Sequence, residues 1–203
     1  MKTLRIAIEL NHVVRDINKQ IVKYYIKDFD HSLDEDEIDE TDDVINNVIK
    51  FESSIEKNNF FYNDYPFELY GCAKVIEKNL ATSINTWLLE LLNIEDYKVE
   101  VFFYSMGESG ITLQSTYFFL SKAGIRTRMM LFPTSMGEVT SQCDVVITSS
   151  KKTVDEIKSQ KDAKKIILIK RKMNEGYSDK VDYEYDNLSD FLKDGVILEN
   201  LCK

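Results

Sequence analysis

Two polar residues with the spacing of a catalytic pair follow the first apolar segment of the chain. The segment IAIELNHVVRD places Glu9 and Asn11 directly after a run of strand-forming residues. Because alternate residues of an extended segment point the same way, groups at i and i+2 can act on one bound molecule. Two carboxylates with this spacing could work on one phosphoryl group and play different roles. In this chain only the first position carries a carboxylate.

Other residue types are too scarce for most alternative catalytic sites. The chain has two histidines, His12 and His31, which removes most schemes in which a histidine activates a serine or cysteine nucleophile. Its three cysteines, Cys72, Cys143 and Cys202, are far apart, so their spacing predicts neither a zinc site nor a disulfide framework. Any chemistry would depend on carboxylates, and the thiols indicate a reducing compartment.

Length and charge indicate one ordered, acidic globular unit. The chain has 203 residues, of which 43% are hydrophobic, which is enough for a core domain that carries an insertion. The formal net charge of −9 argues against nucleic acid as a partner, because an acidic surface repels phosphates. No signal-peptide core and no apolar run of about 18 residues is visible, so we expect a protein without a membrane anchor.

Short apolar segments alternate with segments of helical spacing along most of the chain. This alternation predicts an α/β fold, a Rossmann-like parallel sheet flanked by helices, with functional groups at its carboxyl edge. The predicted strands are 4–10, 99–104, 126–132, 144–148 and 165–169. The predicted helices are 14–29, 111–123, 154–160 and 188–192.

The stretch 30–96 interrupts this alternation, because it has helical patterns at 44–55 and 75–92 but no convincing strand. We therefore predict a core α/β domain formed by residues 1–29 and 97–203, with a helical cap insertion at 30–96. An acidic run at 34–43 could be a calcium loop, a docking patch for a basic partner, or a solvated loop before a helix capped near Thr41. Its spacing lacks the glycine and glutamate of an EF-hand, which favours the solvated loop.

The order of these segments resembles that of the haloacid-dehalogenase-like (HAD) phosphatases, in particular their 5'-nucleotidase branch. The first motif of that family, a strand followed by DxDx[TV], corresponds to the segment with Glu9 and Asn11. The likeness continues through the helical insertion, VEVFFYS, a helix ended by Gly124, CDVVITSS, and a final strand before KRKMNEGYS. It implies a HAD-like core in which the first acid attacks phosphorus and binds magnesium, while the second protonates the leaving group.

The residues at the first and fourth family motifs differ from those that the chemistry needs. Glu9 is one methylene longer than the expected aspartate, and Asn11 cannot donate an acid proton. The fourth motif resembles a strand that ends in two magnesium-binding acids, but Thr148 and Ser149 stand there. Because magnesium generally needs at least one or two carboxylates, we expect no metal and no cofactor, with magnesium required only if the chain is an enzyme after all.

The second and third motifs leave more than one interpretation. Ser105 matches the Ser or Thr that binds phosphoryl oxygens, and with Gly107 of the GESGIT segment it is a candidate anion-binding residue. Gln142 stands nearest in order to the basic residue of the third motif. Three other basic residues could reach the same point, namely Lys122, Arg126 and Arg128.

Each candidate residue also has a purely structural interpretation. Glu9 could pair with Arg15 or with a helix N-terminus, and Asn11 could be a turn residue. Ser105 could cap the segment that follows it, and the glycines of GESGIT could form a turn before a helix. These interpretations leave the predicted fold unchanged, because the fold depends on the order and spacing of the segments.

Loss of the acids at several motifs together predicts a non-catalytic protein. The chain resembles nucleotidase-like proteins encoded by tailed bacteriophages, in which an intact motif would read IAIDLNDV where this chain reads IAIELNHV. We expect a HAD-like pseudoenzyme, a structural or adaptor component of a homo- or hetero-oligomeric protein assembly such as the neck or tail of a virion. It would be cytoplasmic, or part of the virion if phage-encoded. A magnesium-dependent 5'-nucleotidase or phosphatase, and a nucleotide-binding sensor without hydrolysis, are the alternatives.

Overall fold

A six-stranded parallel sheet forms the centre of the molecule in the computed structural model, which describes residues 2–34, 43–162 and 164–202. In chain order the strands are β1 (Lys2–Glu9), β2 (Arg15–Asp16), β3 (Lys74–Val75), β4 (Tyr97–Tyr104), β5 (Met130–Leu131), β6 (Val145–Thr148), β7 (Lys165–Ile169) and β8 (Tyr183–Tyr185). The order across the main sheet is β5-β4-β1-β6-β7-β8, while β2 and β3 pair separately. The expected Rossmann-like α/β fold is therefore confirmed.

Helices cover both faces of this sheet. They are α1 (Asn18–Asp28), α2 (Val44–Asn47), α3 (Ser54–Asn59), α4 (Leu80–Glu90), α5 (Ile111–Ala123), α6 (Met136–Thr140), α7 (Lys151–Lys158), α8 (Leu188–Lys193) and α9 (Ile197–Cys202). Side chains alternate along β1, so Ile6 and Ile8 join one hydrophobic cluster with α4, α5, α8 and α9, while Ala7 joins a second with α6 and α7. This two-sided burial explains why the strands are almost continuously apolar.

The chain between β2 and β3 forms a third hydrophobic cluster. It leaves the sheet at β2 and returns at β3, and these two short strands pair antiparallel at the base of the excursion. The excursion contains α1, α2, α3 and two π-helical turns, Phe60–Asp64 and Phe67–Gly71. Its buried apolar side chains are Ile17, Ile21, Val22, Tyr25, Val44, Ile49, Phe60, Phe61, Leu69 and Tyr70. The domain boundaries proposed from sequence stay a prediction, but α1 packs with this cluster and α4 packs on the sheet.

Local capping divides the helical pattern expected at 44–55. Asp43 accepts a hydrogen bond from the amide of Asn46 and begins α2, whereas Ser53 accepts one from the amide of Glu56 and begins α3. The predicted cap at Thr41, and the acidic run up to residue 42 apart from Asp34, lie outside the described residues. The strand β3 is a correction, because no strand was expected in the stretch 30–96.

Strand β5 is shorter than the stretch 126–132 predicts, since only two residues pair with β4. The side chain of Asn85 on α4 explains the difference. It donates to the carbonyl of Gly124 (2.7 Å) and accepts from the amide of Arg126 (2.8 Å). These bonds hold the backbone before β5 against α4. Across the described parts of the chain, no helix is long and apolar enough to cross a membrane.

Candidate functional site

The candidate site lies where the three central strands end. Glu9 at the end of β1 is in register with Tyr104 of β4, and Ile8 is in register with Ile147 of β6, so Thr148 ends beside Glu9. The halves β1-β4-β5 and β6-β7-β8 meet between β1 and β6. In open α/β sheets this junction, at the carboxyl ends of the strands, is where ligands bind.

A buried guanidinium occupies the β1–β4 side of this edge. The chain turns sharply after β1, with the amide of Arg15 donating to the carbonyl of Leu10 (2.8 Å). This turn directs the Arg15 side chain inward, where it is fully buried and forms an ion pair with Glu108. Glu108 comes from the loop before α5 and is only 4% exposed. A charge pair so far from water requires hydrogen bonds to its remaining polar atoms.

Arg15 finds acceptors for all its nitrogens. Its Nε and Nη2 donate to Asn11 Oδ1 (2.8 and 2.6 Å), and Nη2 also approaches Ser105 Oγ (3.3 Å). Its Nη1 donates to Thr116 Oγ1 (2.6 Å) and to the carbonyl of Tyr70 (3.2 Å). The planar five-donor fork of arginine suits such a site, because each bond fixes the plane of the others.

The carboxylate of Glu108 completes the same network. Ser105 Oγ donates to Glu108 Oε1, and Thr116 Oγ1 donates to Glu108 Oε2. Asn11 Nδ2 donates in turn to Ser105 Oγ (3.2 Å). We call these five side chains, Arg15, Asn11, Ser105, Glu108 and Thr116, the arginine cluster. It joins the ends of β1 and β4 to the first turns of α5.

The arginine cluster also connects the sheet to the insertion. The guanidinium carbon of Arg15 lies 5.1 Å from the ring centre of Tyr70 and 5.5 Å from that of Phe119, distances typical of cation–π contacts. Tyr70 belongs to the second π-helical turn, which packs against α5. Gly71 allows this approach, because an added Cβ would lie 3.3 Å from the carbonyl oxygen of Ser115 and 3.1 Å from the ring of Phe67.

Glu9 occupies the β1–β6 side of the edge, and no described Lys, Arg or His side chain forms an ion pair with it. Thr148 Oγ1 donates to Glu9 Oε2, and the amide of Ser149 donates to the same oxygen (3.3 Å). Burial raises the pKa of Glu9 from 4.5 to about 7, and these bonds, with one from the amide of Ser150, only partly oppose that rise. Glu9 therefore meets the backbone just before α7, which agrees with the helix N-terminus interpretation. The suggested pairing with Arg15 is wrong, because Arg15 pairs with Glu108.

Two hydroxyls next to Glu9 are buried without a hydrogen bond. Tyr104 Oη lies beside Thr148 and Thr153, but it makes no hydrogen bond of ordinary geometry within the described chain, and neither does Ser149 Oγ. Burial, followed by the Glu9 charge, raises the pKa of Tyr104 well above its usual value. The backbone of this side is held by Asn174, whose Nδ2 donates to the carbonyls of Ser149 (2.9 Å) and Ile169 (2.8 Å).

The magnesium that the HAD resemblance implies does not fit these residues. Thr148 and Ser149 supply hydroxyls where carboxylates are needed, and the Thr148 hydroxyl is already directed at Glu9. On the other side of β1, the Asn11 carbonyl oxygen accepts two bonds from the Arg15 cation, which would repel a second cation. Across residues 2–34, 43–162 and 164–202, no three His, Cys, Asp or Glu side chains are grouped to hold a metal ion.

Most motif positions named from sequence do meet at this edge, namely Glu9, Asn11, Ser105, Thr148 and Ser149. Gln142 does not, since it follows α6 near the amino end of β6, is exposed, and donates to the carbonyl of Glu138 (3.0 Å). The amide of Gly107 donates to the carbonyl of Pro133 (3.0 Å), so it is engaged within the chain.

Sequence reasoning missed Glu108, Thr116 and the central position of Arg15. The two valines that directly precede Arg15, Val13 and Val14, were the available sign that this basic residue is buried. A buried cation of this kind requires a partner carboxylate. No protein-family model matches the chain, and no curated protein is significantly similar to it.

Proposed function

We propose that this chain is a non-catalytic, HAD-like protein that serves as a structural or adaptor component of a larger protein assembly. The observation that supports this proposal is the Arg15 guanidinium. It bonds both Asn11 and Ser105, the two residues that the HAD resemblance assigns to the leaving-group acid and to phosphoryl binding. Arg15 thus takes up the polar groups that a phosphoryl substrate would need.

Displacing Arg15 would be costly. A phosphoryl group that bonded Ser105 would have to compete with Glu108, which already holds the guanidinium and the Ser105 hydroxyl. Breaking one partner away from a buried ion pair typically costs about 3–5 kcal/mol. A substrate would have to overcome this free-energy cost in order to bind, whereas in a structural cross-link the same interaction stabilises the fold.

The state of Glu9 supports the same proposal. A nucleophilic carboxylate must be ionised and aligned with phosphorus. Burial raises the pKa of Glu9 to about 7, so the neutral form of Glu9 is populated near neutral pH. The Thr148 hydroxyl and the Ser149 amide orient the carboxyl group toward the start of α7. These features suit a structural carboxyl group.

A phosphate-release assay tests the absence of catalysis. We expect the full chain with Mg²⁺ and a panel of nucleoside 5'-monophosphates to release inorganic phosphate no faster than the protein-free control. The matched variant Glu9→Ala should behave identically. Magnesium-dependent release by the parent chain that Glu9→Ala abolishes would contradict the proposal. Release that is equal in both proteins would indicate a contaminating phosphatase.

The finer assignment, to the neck or tail of a virion, is supported by the resemblance to phage-encoded proteins. Its test is mass spectrometry of purified particles from a host that expresses the gene, where we expect the chain in a fixed copy number per particle. Light scattering and co-purification test the assembly role more generally. A monomer that copurifies with no other protein and forms no oligomer at any concentration would argue against it.

A further inference from the structure

Much of strand β4 has an open edge, because β5 pairs with only two of its eight residues. Strand β5 pairs with β4 only at Phe103 and Tyr104, so the part of β4 before Phe103 pairs with no strand on that side among the described residues. The amides of Phe103 and Ser105 donate to the carbonyls of Met129 and Leu131, which identifies the side to which odd-numbered amides point. Because successive residues of a strand alternate, the amides and carbonyls of Val99 and Val101 face the same open side.

An open edge of this kind is a template for another strand. The edge borders a cleft of about 900 Å³ between β4, α4 and the loop before β5. Leu89 of α4 and Leu92 of the 3-10 turn that follows it (Leu91–Asn93) line this cleft and are 59% and 57% exposed. A partner seated on the edge would therefore cover apolar side chains as well as pair backbone groups.

The charges along this edge are complementary to those of an identical edge on a second copy. Lys98 and Glu100 flank Val99, carry opposite charges, pair with each other within the chain at 2.6 Å, and are 56% and 40% exposed, so both remain within reach of a second copy. If a second copy pairs antiparallel with a two-fold axis at Val99, Lys98 of each copy stands opposite Glu100 of the other. Opposite charges directly across an antiparallel pair stabilise it, and like charges destabilise it.

We propose that two copies of this chain dimerise by antiparallel pairing of their β4 edges about Val99. In this register the outward amide and carbonyl of Val99 exchange two hydrogen bonds with Val99 of the second copy, and the two Lys98–Glu100 pairs flank them. The main sheet then continues through the two-fold axis as one sheet of twelve strands, twice the six of each chain. A two-fold dimer is the commonest closed assembly of identical chains.

This inference builds on the proposed assembly role by naming a second copy as the partner. The two can fail separately. Phosphate release would contradict the non-catalytic role and leave the dimer intact, whereas a monomeric protein would remove the dimer and leave the phosphate assay unchanged.

Charge reversal at the edge provides the test, with the dimer dissociation constant measured on the full chain by sedimentation and light scattering. Lys98→Glu converts both flanking pairs to like charges, and so does Glu100→Lys. We expect each to raise the dissociation constant about tenfold or more. The double variant Lys98→Glu/Glu100→Lys restores both opposite-charge pairs and should return the dissociation constant close to that of the parent.

Two further variants separate strand pairing from general charge effects. Lys152→Glu makes the same charge change on α7, where Lys152 faces Glu156 at 3.7 Å, and should leave the dimer unaffected. Val99→Pro removes an outward amide without removing an amide that pairs with β1, and it should abolish the dimer, with circular dichroism confirming that the chain is folded. A parent chain that is monomeric at its highest soluble concentration would overturn the proposal. So would a dimer that is insensitive to the Lys98 and Glu100 reversals.

Discussion

Two buried carboxyl groups, those of Glu9 and Glu108, lie at the end of β1, and they differ in the partners that surround them. Glu108, 4% exposed, is paired with the Arg15 guanidinium and accepts hydrogen bonds from Ser105 and Thr116. Glu9, 7% exposed, has a hydroxyl from Thr148 and backbone amides but no cation. The burial is similar, so the difference between the two sites lies in the compensating charge.

That difference decides how well burial is compensated at each site. Moving a carboxylate out of water disfavours its charged form, and only a nearby cation or several hydrogen bonds can offset this. The hydrogen bonds to Glu9 do not offset the cost of burying its charge, and its pKa is therefore raised to about 7. The β1–β4 side is thus an ionic cross-link, and the β1–β6 side is close to neutral.

Removing the cation should have the largest effect. In Arg15→Met, Glu108 loses its counter-charge while it stays buried, and we expect the free energy of unfolding at pH 7 to fall by about 3–5 kcal/mol. Urea unfolding followed by circular dichroism measures this loss. Adding Glu108→Gln to Arg15→Met removes the orphaned charge and should recover a large part of it.

An exposed ion pair supplies the matched control. Arg5 pairs with Glu100 at 3.1 Å, but its side chain is 54% exposed. Arg5→Met should cost less than about 1 kcal/mol, because water already solvates both charges. If Arg15→Met proves no more destabilising than Arg5→Met, the arginine cluster is not the cross-link described above.

The pH dependence of the free energy of unfolding should reveal the raised pKa of Glu9. Between pH 4.5 and 7 the folded chain keeps the Glu9 proton that the unfolded chain loses, so Glu9 makes the free energy of unfolding fall as pH rises. The fall attributable to Glu9 is about 3 kcal/mol. Glu9→Gln keeps the shape of the side chain and removes the titration. The stability difference between parent and variant should therefore change across this window.

His12 changes the free energy of unfolding in the opposite direction to Glu9 over an overlapping pH range. Both contributions enter the expected curves of stability against pH. Burial, with the charges of Arg171 and Arg15, lowers the pKa of His12 from 6.5 to about 4, so its contribution to stability is lost as pH falls through that range. The Glu9→Gln curve should therefore rise more steeply with pH than the parent curve. Parallel curves for the two proteins would show that Glu9 titrates normally.

The sequence predicted the regular elements of this edge better than the contacts between them. The bounds of β7 and α5 match the predicted strand 165–169 and helix 111–123. Because strand ends in a parallel sheet share one edge, the meeting of Glu9 with Thr148 and Ser149 also followed from the pattern.

The side-chain partners could not be read from the same pattern. Glu108 lies 93 residues after Arg15, on a loop that Gly107 enters with a positive φ of 72°, and nothing in the spacing links the two. Gln142 was aligned by its order along the chain, but α6 carries the chain back toward the amino edge before β6 begins. Periodicity reports which face is buried, whereas pairing between distant loops depends on tertiary geometry.

The smallest expected effect concerns Tyr104, whose hydroxyl is buried on the Glu9 side and makes no hydrogen bond of ordinary geometry to the residues that the structure describes. Tyr104→Phe removes a polar atom that gains nothing from folding, so the free energy of unfolding should stay within about 1 kcal/mol of the parent or increase. Tyr185→Phe is the matched control, because Tyr185 Oη donates to Asp194 at 2.7 Å, and its loss should cost about 1 kcal/mol. A clear loss of stability in Tyr104→Phe at pH 8, where Glu9 is largely ionised, would mean that the hydroxyl helps to solvate that charge. The buried Glu9 carboxylate would then be better compensated than its contacts indicate.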